Sequence, residues 1–400
     1  MADLVKETKC PVIYNNMLNE KIYVEIKTRI CVTQFIFVKS NAERRIHINT
    51  NSIKIQHDNI QLPSLVFYID TMELIPTTCH GLHINKSCEL HLRMKIRQRD
   101  AETIKAEIAN PTSISSDGLL RKFDNFQSCI CKMCGEDIIK TKRKFKRVLS
   151  LPSDNWQDNT DSWFCHNHGN GKQNGVGKNT SLLPKESDCF VGDNFFMVNE
   201  ESLKHGIETI GNHSNQVRCR RCRFLIGKAV TSPGKTEDKD AKMVVKLYNH
   251  KLKINHSITN SRNPNDSCER DADYFYCSYI MSQSTSYTSF RFVLESDDRQ
   301  PYALLWLLET TTEVLHLDAS RNESPHTPQP IAKILYISCM KGSNKQLFST
   351  WCKDLTVHSI TFHDDMCLEL LNLLVKSTLK LPVSLQQLDG FQVGYLHRPS

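Results

Sequence analysis

Two short cysteine pairs give the strongest structural signal in the chain: CKMCG at residues 131–135 and CRRC at residues 219–222. Two residues between thiolates allow one tight turn to present both sulfurs to a metal, and Gly135 permits the backbone bend that such a turn requires. Two turns of this kind complete a tetrahedral set of four sulfurs, the arrangement that structural zinc prefers. The sequence therefore predicts one structural Zn²⁺ bound by Cys131, Cys134, Cys219 and Cys222.

A stretch of 84 residues, 135–218, separates the two pairs, which is far more than in a zinc finger. This separation implies two hairpins that meet in space, so that the metal closes a long loop. The alternative is two independent pairs, redox-active or simply reduced. Zinc is favoured because neither pair lies in a βαβ context. Cys129, two residues upstream of the first pair, is an alternative ligand.

Basic residues surround both cysteine pairs. The segment KTKRKFKR at 140–147 holds six basic residues in eight, and RCRRCR at 218–223 holds four in six. If the metal joins these segments, they form one basic face suited to phosphate or to an acidic protein. The alternative is a solvated basic hairpin with no ligand. Aromatic residues are sparse in both segments, so direct RNA binding is not expected.

The composition is that of an ordinary globular protein. The chain has 400 residues, 39% hydrophobic and 24% charged, with a net charge of +7. These values exclude general disorder, and the length predicts two or three domains at ~100–200 residues each. The apolar stretches at 302–308 and 368–375 are much shorter than the ~20 residues of a membrane span, and no secretory signal pattern is present. We expect a soluble, cytoplasmic protein, with the nucleus as a second location.

Alternation of apolar and polar residues predicts strands in the N-terminal part. The predicted N-terminal strands are 21–26, 45–55, 65–75 and 89–96. The C-terminal part mixes both element types. Its predicted helices are 271–283 and 364–379, and its predicted strands are 289–295, 302–308, 313–317, 331–338 and 391–396.

These patterns predict an α+β protein with three consecutive parts. Residues 1–127 are expected to form a β-rich N-terminal domain. Residues 128–230 are expected to form a zinc-stapled central region that carries a loop for binding a partner. Residues 243–400 are expected to form a mixed α/β C-terminal domain.

The central region contains a short aromatic and cysteine segment in an otherwise polar stretch. Trp156 and Trp163 lie within eight residues of each other, and Phe164 and Cys165 follow directly. Aromatic side chains in a polar loop are typical anchors for a partner surface. The thiol of Cys165, beside two histidines, offers soft ligands for a second zinc or for another protein's metal centre. The alternative, which the spacing leaves open, is that the tryptophans pack on the zinc region.

No nucleophile elbow, zinc-protease, kinase or dinucleotide-binding motif occurs in the sequence. A cysteine is the abundant type of candidate nucleophile, and it would need a lowered pKa and exposure. Cys339 ends a predicted strand, where a side chain can face a cleft. Cys352 and Cys367 lie beside or within apolar helical patterns and are expected to be buried. The sequence alone assigns none of them a catalytic role.

Several segments together resemble the HECT-like ubiquitin ligase E3D family, also described as the ubiquitin-conjugating-enzyme-binding protein. The most specific ones are CKMCGEDIIK (131–140), RVLSLPSDNW (147–156), ESDCFVGDNFFMVN (186–199) and VRCRRCRFLIGK (217–228). The C-terminal segments FRFVLESDD, YALLWLLE and CLELLNLLVKS are similar to the family as well. The resemblance spans most of the chain.

The resemblance implies an E3 ubiquitin-protein ligase: a HECT-like ubiquitin transferase of the aminoacyltransferase class. Such a protein accepts ubiquitin from ubiquitin-conjugating enzymes (E2s) and passes it to substrates, including cyclin B. It also implies an E2 contact after the second cysteine pair. The C-terminal region is shorter than an established two-lobed HECT domain and lacks its cysteine signature, so the catalytic cysteine is unassigned.

A second activity implied by the resemblance is inhibition of the pre-mRNA 3′-end cleavage endonuclease. The segment from about 150 to 180 would occupy the nuclease's di-zinc active site. Cys165 would contact the zinc, and Trp156, Trp163 and Phe164 would anchor the segment. The alternative function is a non-catalytic, zinc-stapled regulator of mRNA 3′-end processing without ligase activity.

Overall fold

The structure is a computed structural model. It describes residues 21–38, 44–57, 64–69, 72–98, 123, 126–139, 145–151, 183–204, 207–210, 215–230, 243–256, 268–318 and 327–398. Two compact units divide the chain. Unit 1 comprises Met1–Pro111 and Gln283–Ser400, and unit 2 comprises Thr112–Ser282.

Strands predominate among the described residues, consistent with the predicted α+β class. The strands are β1 (Lys21–Lys27), β2 (Val32–Phe37), β3 (Arg44–Ile48), β4 (Ser52–His57), β5 (Leu65–Tyr68), β6 (Met72–Ile84), β7 (Leu90–Gln98), β8 (Phe126–Cys131), β9 (Arg147–Ser150), β10 (Asp188–Val191), β11 (Phe195–Asn199), β12 (Ile207–Ile210), β13 (Gln216–Cys219), β14 (Leu225–Val230), β15 (Val244–Tyr248), β16 (Leu252–His256), β17 (Arg291–Ser296), β18 (Pro301–Asp318), β19 (Gln329–Ser338), β20 (Val357–Phe362), β21 (Gln387–Leu388) and β22 (Phe391–His397). The α-helices are α1 (Cys268–Tyr287), α2 (Lys345–Cys352) and α3 (Asp364–Lys380).

Ten of the described strands in unit 1 form one sheet. Its main order is β21-β22-β19-β18-β1-β2-β7-β6, and β17 pairs with both β18 and β20 beside this path. β1 joins the N-terminal and the C-terminal strands of this sheet, because it pairs antiparallel with β2 on one side and with β18 on the other. The sequence-based division placed these strands in separate domains, 1–127 and 243–400, whereas the sheet joins them. The alternation within a strand indicates which face is buried but not which strand lies beside it.

A smaller sheet, in the order β3-β4-β5, shares a core with the large sheet of unit 1. Ile53 and Phe67 from the small sheet lie in one buried cluster with Val24 and Phe35 from β1 and β2. Apolar residues at every second position give each sheet one buried face, and the two faces enclose this core.

Helix α3 covers part of the large sheet through residues at helical spacing. Its buried side chains include Met366, Leu370 and Leu374. The helix packs so closely on β22 that a Cβ added to Gly394 would lie 3.0 Å from the carbonyl oxygen of Leu374. At the start of the helix, the His363 side chain accepts a hydrogen bond from the backbone N–H of Asp365.

Most of the predicted strands and helices are confirmed, with changes in extent. The helices predicted at 271–283 and 364–379 lie within α1 and α3. The segments 302–308 and 313–317 belong to one long strand, β18, whereas the predicted run 45–55 contains two strands, β3 and β4. No helix within the described residues is long and apolar enough to cross a membrane.

Unit 2 is built on a sheet of seven described strands in the order β12-β13-β14-β15-β11-β10-β9, and β8 pairs separately with β16. Its core contains a group of phenylalanine rings, in which Phe123 lies 5.8 Å from Phe126 and 5.0 Å from Phe196 between ring centroids. Strands β14 and β15 approach closely, since a Cβ on Gly227 would lie 2.2 Å from the carbonyl oxygen of Lys246.

A buried ion pair crosses the large sheet of unit 1 and gives a test of the fold. Lys333 Nζ lies 2.6 Å from Glu25 Oε2, and these side chains are only 13% and 5% exposed. We predict that Lys333→Met lowers the free energy of unfolding by about 3–5 kcal/mol, because it leaves a buried carboxylate without its cationic partner. Urea denaturation measures this change.

The more exposed pair Lys27–Glu309, which joins β1 to β18 in the same sheet, is the matched control. Its atoms are 3.8 Å apart and its side chains are 40% and 28% exposed. Lys27→Met should change the free energy of unfolding by less than about 1 kcal/mol. Equal effects of the two substitutions would contradict the role given to the buried pair.

Candidate functional site

The first cysteine pair lies in a tight turn that follows β8 in unit 2. Cys131 is the last residue of that strand, and its N–H donates to the carbonyl oxygen of Glu136 at 2.8 Å. The N–H of Gly135 donates back to the carbonyl oxygen of Cys131, also at 2.8 Å. Gly135 has a φ of +75°, in the left-handed region that a residue with a Cβ disfavours. The turn therefore presents Cys131 and Cys134 on one side, as the sequence predicted.

The second pair repeats this turn at the end of β13. The N–H of Cys219 donates to the carbonyl oxygen of Phe224 at 2.9 Å, and that of Arg223 donates to the carbonyl oxygen of Cys219 at 2.8 Å. Arg223 occupies the position equivalent to Gly135 and has a φ of +63°. A non-glycine residue in this conformation carries some strain, which the surrounding hydrogen bonds and the cysteine cluster must offset.

The four cysteines of the two turns converge. Their sulfur atoms all lie within 4.8 Å of one another. Cys131 Sγ is 3.7 Å from Cys222 Sγ, and Cys134 Sγ is 3.5 Å from Cys219 Sγ. A tetrahedral zinc with bonds of about 2.3 Å requires sulfur–sulfur separations of about 3.8 Å. The four sulfurs can therefore hold a metal ion, and their type and spacing are compatible with structural zinc.

The thiols of this cluster differ in their pKa values. Burial raises the pKa of Cys131 to about 12 and also raises that of Cys219. Burial acts in the same direction on Cys134, but the backbone N–H of Glu136 and the neighbouring thiols outweigh it and lower the pKa of Cys134. A bound cation would favour the thiolate at all four positions and release protons as it binds.

Cys129, the alternative ligand, does not belong to the cluster. It is fully buried in the core of unit 2, together with Cys189, and burial raises the pKa of each thiol. Cys129 therefore behaves as a small core residue rather than as a metal ligand.

An arginine of the second turn links the two turns, a feature that sequence reasoning missed. Arg221 Nη1 donates to the carbonyl oxygen of Cys134 at 3.4 Å and lies 4.0 Å from Glu136 Oε2. In the sequence, Arg221 was recognisable only as one of the basic residues of the segment 218–223. Its partners could not be inferred, because they lie 85 or more positions earlier in the chain.

The aromatic and cysteine segment of the central region lies outside the described residues. This applies to Trp156, Trp163, Phe164 and Cys165. Their predicted role as partner anchors and as a zinc contact therefore stays a prediction.

The three C-terminal thiols occupy different environments. Cys339 and Cys367 are buried, and burial raises their pKa values to about 11 and about 12. The end of a strand can place a side chain in a cleft, but the side chain of Cys339 instead packs in a core cluster with Trp351. Cys352 ends α2 and is exposed, whereas the sequence predicted burial. Partial desolvation, and after it the Glu295 carboxylate, raises the pKa of Cys352 above its ordinary value.

Comparison with known proteins gives a consistent result. A family model described as HECT-like Ubiquitin-conjugating enzyme (E2)-binding matches residues 15–393. The chain belongs to this family. E3 ubiquitin-protein ligase E3D of Mus musculus is 30% identical over 341 residues, which cover 81% of this chain and 83% of the relative.

Two further relatives carry the same name. The Homo sapiens protein is 30% identical over 373 residues, with coverage of 84% and 86%. The Bos taurus protein is 28% identical over 418 residues, with coverage of 94% and 97%. The family description and the relatives' names support, at this general level, an E2-binding role in ubiquitin ligation.

The four-cysteine cluster gives the test of the site. We predict that protein purified without a chelator contains one zinc per chain by elemental analysis. Cys134→Ser should abolish zinc binding and lower the melting temperature of unit 2, because zinc sites of this type contribute about 10–16 kcal/mol in small peptides. Cys79→Ser, at an exposed thiol of unit 1, is the control and should retain the zinc. Wild-type protein without metal would refute the zinc assignment.

Proposed function

We propose that the protein is an E3 ubiquitin ligase that binds a ubiquitin-charged E2 and promotes transfer of ubiquitin to protein substrates. The observation that carries the proposal is the family match across residues 15–393, supported by relatives that share about 30% identity over most of both chains. The finer assignment, a HECT-like transferase of the aminoacyltransferase class with cyclin B among its substrates, is part of this proposal. So is its action in the cytoplasm, with the nucleus as a second location.

A transferase of this class needs a thiol that an incoming E2 thioester can reach. Transthioesterification breaks the bond between the ubiquitin carboxyl carbon and the E2 sulfur and forms the same bond to the acceptor sulfur. The E2 leaves as a thiol, and the acceptor must be exposed and deprotonated to attack. The pKa of each of the three C-terminal cysteines is raised, so exposure separates them: it favours Cys352, and burial disfavours Cys339 and Cys367.

We predict that mixing the protein with a ubiquitin-charged E2 gives a ubiquitin adduct that a thiol reductant removes. Cys352→Ser should abolish this adduct, whereas Cys79→Ser, at another exposed thiol of unit 1, should leave it unchanged. A non-reducing gel after a single turnover measures the adduct. If the adduct persists in Cys352→Ser, the acceptor is another cysteine, and Cys10 and Cys165 are then tested in the same way.

The pH dependence of adduct formation provides a second measurement. Because the pKa of Cys352 is raised, the thiolate is the minor form at neutral pH. The rate should therefore rise about tenfold per pH unit between pH 7 and 8, without a plateau. If the wild type forms no adduct but accelerates ubiquitin release from the E2 to free lysine, the protein acts by recruitment alone.

The second proposed activity is inhibition of the pre-mRNA 3′-end cleavage endonuclease, for which the support is the sequence segment itself. Cys165 offers a thiolate, a soft ligand for zinc that can displace an attacking water. Trp156, Trp163 and Phe164 offer the large apolar side chains that anchor interfaces. If the protein has no ligase activity, the alternative function is that of a non-catalytic, zinc-stapled regulator of mRNA 3′-end processing that acts through this segment.

We predict that Cys165→Ala weakens nuclease inhibition by at least about tenfold, because the zinc contact is lost while the apolar anchors remain. A cleavage assay with the purified nuclease subunit and titrated inhibitor measures the change. Cys31→Ala, at an exposed thiol in unit 1, serves as the control. Full inhibition by Cys165→Ala, with unchanged melting temperature and zinc content, would rule out the zinc contact.

A further inference from the structure

The outer ends of the two cysteine turns form a surface to which the proposed function assigns no role. We define this surface, the knuckle tip, by Lys132 and Met133 of the first turn and by Arg220, Arg221 and Arg223 of the second. Lys132 is half-buried, and the other four side chains are exposed. The turns belong to the same unit and are held together by the four-cysteine cluster.

Met133 is the apolar centre of the knuckle tip. Its side chain is 65% exposed, although it sits on a turn whose cysteines are buried or half-buried. In the described part of unit 2, the other exposed large apolar side chain is Leu149, at 44%. Methionine is adaptable and is enriched in interface cores, so its exposure at the end of a rigid turn favours contact with a partner.

The charge of the knuckle tip is positive after the internal ion pairs are taken into account. Arg221 is paired with Glu136, and Arg223 is paired with Glu208. Arg220 is exposed, and no ion pair within the described residues involves it. A guanidinium of this kind is suited to bind a carboxylate of a partner in bidentate geometry.

The knuckle tip is also preorganised. Reciprocal backbone hydrogen bonds close each turn, and Arg221 bonds across to the carbonyl oxygen of Cys134. A surface held in this way loses little conformational freedom when a partner binds, which reduces the entropic cost of association. These are the properties of a small protein-docking surface with an apolar centre and a basic rim.

We propose that the knuckle tip is the surface on which the E2 docks, with an apolar side chain of the E2 on Met133 and an E2 carboxylate at Arg220. This inference rests on the proposed function, which supplies an E2 as partner. Charge complementarity selects an E2 with an acidic rim around its apolar contact. RNA fits less well, because the described part of unit 2 has no exposed aromatic side chain on which bases could stack.

The test measures binding of the full-length protein to purified E2s by biolayer interferometry. Met133→Ala and Arg220→Glu should each weaken binding by at least about tenfold. The loss in Arg220→Glu should shrink as salt is raised, whereas that in Met133→Ala should not, because only the first is electrostatic. Leu149→Ala, the other exposed apolar residue of unit 2, and Lys95→Glu, an exposed lysine of unit 1, should bind like wild type.

Zinc content and melting temperature are measured for every variant, so that loss of docking is distinguished from loss of fold. If wild type binds an E2 and both knuckle-tip variants bind it equally well, the inference is wrong and the proposed function stands. If wild type binds none of the E2s, both fail. If Arg220→Glu instead weakens binding to a single-stranded RNA and leaves E2 binding intact, the knuckle tip is a nucleic-acid surface and the inference is overturned.

Discussion

The convergence of four sulfurs on one point is the constraint on which the rest of unit 2 depends. It joins the end of β8 to the end of β13 across sequence separations of 85 and 91 residues. On the scale of covalent cross-links, a bond across a loop of about 100 residues removes about 4–5 kcal/mol of chain entropy from the unfolded state. Thiols held together without a cation would contribute only weak hydrogen bonds, so a metal bound here would supply most of the stabilisation of this closure.

The two turns that carry this cluster also explain how the knuckle tip, with its basic side chains and the exposed Met133, can be rigid. Each turn closes on its own backbone hydrogen bonds, and Arg223 is held at a positive φ in the second turn. A residue other than glycine adopts this conformation only where its surroundings determine it. The buried sulfurs below and the exposed Met133 above are therefore consequences of one local geometry.

Local features of the fold were predictable from the sequence, and long-range ones were not. The spacing of Cys131 and Cys134 fixes a tight turn, and the sequence identified all four members of the cluster because that signal is local. The pairing of β1 with β18 was not predictable, because alternation specifies the buried face of a strand but no neighbour. Helix α2 was missed because it has only eight residues, too few for its periodicity to stand out.

The cysteines show how far residue type alone can be interpreted. Cys339 and Cys367 are core residues, whereas Cys352 lies at the exposed end of α2. No sequence pattern distinguishes these environments, because burial depends on what packs against the helix. The reactive candidate Cys352 belongs to unit 1, and the knuckle tip belongs to unit 2. The proposed ubiquitin acceptor and the proposed docking surface therefore consist of different residues in different units, so each can be removed by substitution while the other is measured.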